Sequence, residues 1–140
     1  MIFGFDELPD RADTVVMVEG VFDAIRIWSY GIPAAAYLKD RIGPGQMSLL
    51  GRIEPRRLVL FPDGGDLRAR QRALRDAAAL AARFEEVRIA LLDPEEGEDK
   101  ADPDAAPRDR VLRAISTAEK VSPTAPVEFQ RKNLRSPWED

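Results

Sequence analysis

Acidic residues recur just after short apolar runs, a pattern that could serve a divalent cation. Glu19 directly follows Thr14–Val18 (TVVMV), Asp63 and Asp66 follow Arg57–Phe61 (RLVLF), and Asp99 and Asp102 follow Glu86–Leu92 (EVRIALL). Carboxylates brought together repel one another unless a cation or a basic group stands between them. Oxygen donors of this kind suit a hard ion such as Mg²⁺ or Mn²⁺. The work of such an ion is to hold phosphate oxygens and neutralise charge in phosphoryl transfer. Asp63, Asp66, Asp99 and Asp102 are the candidate metal ligands and Glu19 the candidate catalytic group. For any single Asp the plainer reading, a solvated loop acid, carries more weight. It carries less for Glu19, because an acid placed directly after a buried apolar strand is costly without a purpose.

Other chemistries are excluded by composition. The 140 residues contain no Cys and no His. That removes disulfides, Cys- or His-based zinc sites, Ser-His catalysis and imidazole proton transfer together. The net charge of −4 means that nucleic acid can be attracted only by a local basic patch. Hydrophobic residues make up 44% of the chain, enough to build the core of one domain of ordinary size. No apolar run approaches the length of a membrane span, and the N-terminus lacks a basic region followed by an apolar one. The expected location is the cytoplasm, without a membrane partner.

Four strands and the helices between them must position these acids. Thr14–Val18, Ala34–Leu38, Arg57–Phe61 and Glu86–Leu92 are short runs rich in β-branched or apolar residues, the mark of buried strands. Between them, Val21–Tyr30 has helical spacing, with Val21, Ala24, Ile25 and Trp28 on one face. Gly31 stands where a helix C-terminal glycine belongs. Pro44–Ile53 reads as a short helix. Leu67–Phe84 is the clearest one, with Leu67, Leu74, Ala78 and Ala81 on one stripe. Pro107–Lys120 can form a last helix after the acidic loop 93–106. Strands alternating with helices predict an α/β fold: a mostly parallel four-stranded sheet flanked by helices on both faces. Functional groups in such sheets gather at the carboxyl ends of the strands. Residues 1–13 read as a lead-in segment, 14–118 as the domain, and 119–140 as an extended or flexible tail.

These residues also carry a resemblance. Val18-Glu19-Gly20-Val21-Phe22-Asp23-Ala24 resembles the Toprim motif in the form used by bacterial and phage DNA primases: a strand, Glu-Gly, two residues, Asp and a small residue. Ser29-Tyr30-Gly31-Ile32 resembles the helix exit of that family. Gly45-Gln46 and Leu49-Leu50 resemble the short helix after its second strand. Leu58–Gly64 resembles the strand entering its Asp-x-Asp motif, and Asp99-Lys100-Ala101-Asp102-Pro103-Asp104 its third acidic motif. Phe3-Gly4-Phe5 resembles the aromatic-Gly segment just upstream. The resemblance covers roughly residues 1–118. It implies a Toprim-like, Rossmann-like fold, a Mg²⁺ or Mn²⁺ cofactor, and nucleotidyl transfer in DNA replication. Glu19 would then act as general acid or base, or help hold the ion, while Asp63 and its partners bind it. The implied partners are single-stranded DNA or nucleotides, with a helicase or other replication protein as a further one. Full primases also carry a zinc-binding module and a further polymerase subdomain, so a fragment, a small stand-alone protein or a catalytically reduced relative is expected.

Two departures from the family pattern keep alternatives open. Asp63-Gly64-Gly65-Asp66 is one residue longer than Asp-x-Asp, with Gly65 where the second Asp should stand. Asp66 either reaches the ion or caps the helix that starts at Leu67. Leu38-Lys39-Asp40-Arg41 replaces the family's Gly-containing segment after the second strand. A non-catalytic interaction module of a replication or mobile-element system and a Toprim-class nuclease are therefore the alternatives. A phosphoacceptor receiver domain fits poorly, since it needs an acidic pair after the first strand. Lys39 and Arg41 are the nearest basic candidates for contacting nucleic acid. Arg68, Arg70, Arg72 and Arg75 stud the long helix, and Arg68, Arg72 and Arg75 share a face. A solvated helix face is the plainer reading of that stripe. Trp28 and Tyr30 could stack on bases, though the place of Trp28 on the apolar face favours packing.

Overall fold

The computed structural model describes residues 13–36, 44–63, 67–92 and 106–123. The elements follow in the order β1 (Thr14–Val18), α1 (Val21–Trp28), β2 (Ala34–Ala36), α2 (Pro44–Ile53), β3 (Arg57–Phe61), α3 (Leu67–Ala81), β4 (Glu86–Ile89), α4 (Arg108–Ser116) and β5 (Glu119–Lys120). The expected parallel α/β architecture is present. The strands form one sheet in the order β2-β1-β3-β4-β5. β1 pairs in parallel with β2 and along its whole length with β3, from Thr14↔Arg57 to Val18↔Phe61. β4 continues the parallel set beside β3.

The sheet has five strands, not four. β5 runs antiparallel to β4, with Arg88 opposite Lys120 and Ile89 opposite Glu119. Two residues leave no period of their own in the sequence, so the helical spacing of 107–120 and the irregular tail that follows conceal them. Long-range bonds place them: the Val121 N–H donates to the Val87 carbonyl at 2.8 Å, and Arg88 Nη1 to the Ala118 carbonyl at 2.7 Å. The helix before them stops at Ser116, where the Ser116 and Thr117 hydroxyls turn back onto the Arg113 carbonyl. Such back-bonding competes with helix continuation.

Both sheet faces are covered, as unbroken apolar strands require. On one face Val15, Met17, Leu58, Leu60, Val87 and Ile89 pack with Leu50 and Ile53 of α2 and with Ala73, Leu74, Ala77 and Leu80 of α3. On the other, Val16, Val18, Val59 and Phe61 pack with Ala24 and Ile27 of α1 and with Val111 and Ala114 of α4. Fully burying a side chain the size of Phe61 or Met17, both 0% exposed, contributes about 1.5–3 kcal/mol each.

Two helix faces differ from the spacing-based expectation. In α1 the buried residues are Asp23, Ala24 and Ile27, while Ile25 is 46% exposed. In α3 the buried stripe is Ala69, Arg70, Ala73, Leu74, Ala77 and Leu80, and Leu67 is 49% exposed. Apolarity at 3.6 spacing allows stripes offset by one position. The sheet selects the one with small residues, because Ala lets a helix sit close on its strands. Helix α1 ends in a Schellman turn: the Gly31 N–H bonds the Trp28 carbonyl at 2.9 Å and the Ile32 N–H the Ile27 carbonyl at 3.4 Å. Gly31 has φ +83°, the left-handed conformation expected of a glycine there.

Candidate functional site at the sheet's switch point

The strand order creates one special place at the carboxyl edge. From β1 the chain passes through α1 outward to β2; from the neighbouring β3 it passes through α3 outward the other way to β4. Helices α1 and α3 lie on opposite sheet faces. Strands that part in this way leave a crevice between their carboxyl ends, the usual ligand position in open α/β sheets. Glu19 is the first residue beyond β1 and Asp63 the second beyond β3, and Val18 and Phe61 are register partners. The two acids thus flank the crevice on adjacent strands, one residue out of register. Both are half-buried.

The residues after Glu19 shape this edge. Gly20 is the N-cap of α1, in extended conformation (φ −106°, ψ 151°), and its carbonyl accepts the first helical bond from the Ala24 N–H at 3.2 Å. Asp23, 7% exposed, is the third helical residue. Its Oδ2 would lie 3.0 Å from a Cβ at position 20. Glycine at 20 is therefore what lets a buried carboxylate fold back over the helix start, where the helix dipole favours negative charge. Ala24, 0% exposed, faces the sheet, which explains the small residue at the end of the motif.

Basic charge meets the crevice through α3. Arg72 Nη2 lies 4.0 Å from Glu19 Oε1. Arg68, Gln71, Arg72 and Arg75 recur on the outer face of α3 and line a shallow groove of about 380 Å³. Arg70 does not belong to that face: it is 8% exposed and buried with the inner stripe. The two aromatic candidates differ. Trp28 is half-buried, packs against both core clusters and donates its Nε1–H to the Ala34 carbonyl at 2.7 Å, tying α1 to β2. The Tyr30 ring faces the Arg108 guanidinium at 5.6 Å, a cation–π contact to α4. Phe22 on α1 is 72% exposed, a surface aromatic not singled out from the sequence.

Of the residues named from the sequence, Glu19 and Asp63 are brought to one edge, and Arg72 joins them with Arg68 along its helix. Lys39, Arg41, Asp66, Asp99 and Asp102 lie outside the described residues. Among the described residues no group of three metal-binding side chains occurs. The Arg72–Glu19 contact was not legible in the sequence, because nothing local relates two residues so far apart.

No protein-family model matches the sequence, and no curated protein matches it. Solved structures do. The chain superposes on the Escherichia coli primase catalytic core with a TM-score of 0.66 at 21% identity, over 97% of this chain and 45% of that one. The fold is that of a primase-type Toprim domain. A DnaG primase catalytic domain bound to single-stranded DNA gives a TM-score of 0.68 at 21% identity, over 97% of this chain and 44% of that one. The zinc-binding and RNA polymerase domains of Aquifex aeolicus primase give 0.64 at 26% identity, over 87% and 30%. The chain spans less than half the length of each of these structures. Among the described residues no helix is long and apolar enough to cross a membrane.

Proposed function

We propose that the chain is the Toprim part of a primase-type replication protein, binding Mg²⁺ or Mn²⁺ and single-stranded DNA or nucleotides for nucleotidyl transfer. The observation that carries this is the placement of Glu19 and Asp63 beyond β1 and β3, on the two sides of the switch-point crevice. The donor set fits the ion, since both side chains offer only oxygen and a hard cation prefers that. Glu19 and Asp63 would hold it, joined by Asp66, Asp99 or Asp102 from the sequence that follows. When bound, the ion would neutralise phosphate charge. Glu19, next to it, would act as acid or base or as a further ligand. Lys39, Arg41, Arg68 and Arg72 would contact the phosphate backbone beside the acids, and binding would be strongly salt-dependent. The single-stranded DNA held by one of the similar primase domains supports that partner.

A second reading is a non-catalytic interaction module, favoured by Gly65 in place of the second acid of Asp-x-Asp. One experiment separates them: Mn²⁺ and Mg²⁺ titrations of the wild type and Glu19→Gln with template, nucleotides and a parallel nuclease assay. Metal-dependent primer synthesis lost in Glu19→Gln supports the first reading, and metal-dependent cleavage alone identifies a nuclease. DNA binding without turnover identifies the module.

A further inference from the structure

The acidic crevice and the basic face of α3 share one residue. Arg68, Gln71, Arg72 and Arg75 stand at i, i+3, i+4 and i+7 and together line the groove on α3; among the described residues its lining includes no acid. Arg72 also reaches 4.0 Å from Glu19 Oε1, with the two side chains 28% and 26% exposed. At that distance and exposure the pair is loose, its attraction largely offset by hydration. A phosphate, which accepts two parallel N–H bonds from one guanidinium, competes well for such an arginine. From Arg68 to Arg75 the helix rises about 10 Å, a length suited to successive phosphates of a strand rather than to one phosphate group.

We propose that Arg72 is shared between Glu19 and a phosphodiester lying along the α3 groove, so that neutralising Glu19 hands Arg72 to the strand. The inference rests on the reading of the crevice as a nucleic-acid site. A cation held by Glu19 and Asp63 is the natural neutralising agent. Cation and strand then bind with positive coupling, each raising the affinity of the other by the same factor. In this arrangement Arg72 stays beside Glu19 until both ligands arrive.

The test needs no metal. Binding of a labelled oligothymidylate to the full chain is measured by fluorescence anisotropy at low salt with EDTA, for wild type, Glu19→Gln, Arg72→Ala and the double variant. Melting temperatures confirm that each is folded, and Glu19→Ala repeats the neutralisation with a second side chain. Glu19→Gln should tighten binding about two- to fivefold, the strength of a loose, half-buried ion pair at 4.0 Å. The same change in the Arg72→Ala background should have no effect. Equal tightening in both backgrounds would show general removal of negative charge and overturn the shared-arginine proposal while leaving the nucleic-acid reading intact. No binding by any variant would overturn both. Tightening toward ATP but not toward the oligonucleotide would assign the groove to a free triphosphate and overturn the strand proposal.

Discussion

A Cβ at position 20 would stand 3.0 Å from Oδ2 of Asp23, closer than side chains tolerate without a shift of a few tenths of an ångström. The Gly20 backbone itself is in an extended conformation open to any residue, so crowding, together with the poor capping of Ala, sets the effect of substitution. Gly20→Ala should destabilise the fold by about 1 kcal/mol, and less in an Asp23→Ala background. Urea denaturation of the four proteins of this cycle measures the coupling; equal losses in both backgrounds would mean that the carboxylate has no part in it.

Glu54 follows α2 with φ +52°, and its N–H bonds the Leu50 carbonyl at 3.0 Å. A left-handed residue with a Cβ costs about 1–2 kcal/mol that glycine avoids. Glu54→Gly should therefore stabilise the protein by about 0.5–1 kcal/mol net of the entropy that glycine brings to the unfolded chain. Gly31→Ala, at φ +83°, should do the opposite by about 1 kcal/mol. The signs of the two shifts in denaturation midpoint check this.

Arg57 of β3 donates its Nε–H to the register partner Glu86 of β4, and Arg88 Nη2 lies 3.0 Å from the other Glu86 oxygen. The hydrogen bond from Arg57 first, then that from Arg88, lowers the Glu86 carboxyl to about 2. A carboxyl lowered by folding stabilises above its unfolded value, about 4.3, and that stabilisation is lost as pH falls toward its folded value. Between pH 5 and about 2 the wild type should therefore lose stability more steeply than Glu86→Gln. Melting curves across that range decide; parallel loss in both proteins would leave Glu86 without a share in it.

Millimolar Mn²⁺ should raise the melting temperature of the wild type, since a ligand that prefers the folded state stabilises it. The rise should shrink in Glu19→Gln and in Asp63→Asn. Asp66→Ala separates the two readings of that residue. Loss of the Mn²⁺ shift marks a ligand, whereas a loss of about 1 kcal/mol of stability with the shift intact marks the cap before Leu67.

The four parallel strands and the four helices were legible locally. β1, β3 and α2 have the bounds that the apolar runs and the glycine-proline start marked, because buried parallel strands need unbroken β-branched and apolar residues wherever they sit. The Schellman glycine at 31 was legible for a similar reason, since its backbone requirement is met within a few residues. The acids after β1 and β3 could be named because they follow their strands directly. Which strands are neighbours is a property of the whole sheet. That Glu19 and Asp63 share one crevice at the reversal of strand order, and that Arg72 reaches Glu19 from α3, follow from long-range pairing. The same holds for β5, two residues held by β4, and for the offset inner stripes of α1 and α3. Periodicity states that a helix has an apolar side, but only the surface it lands on selects which residues make that side.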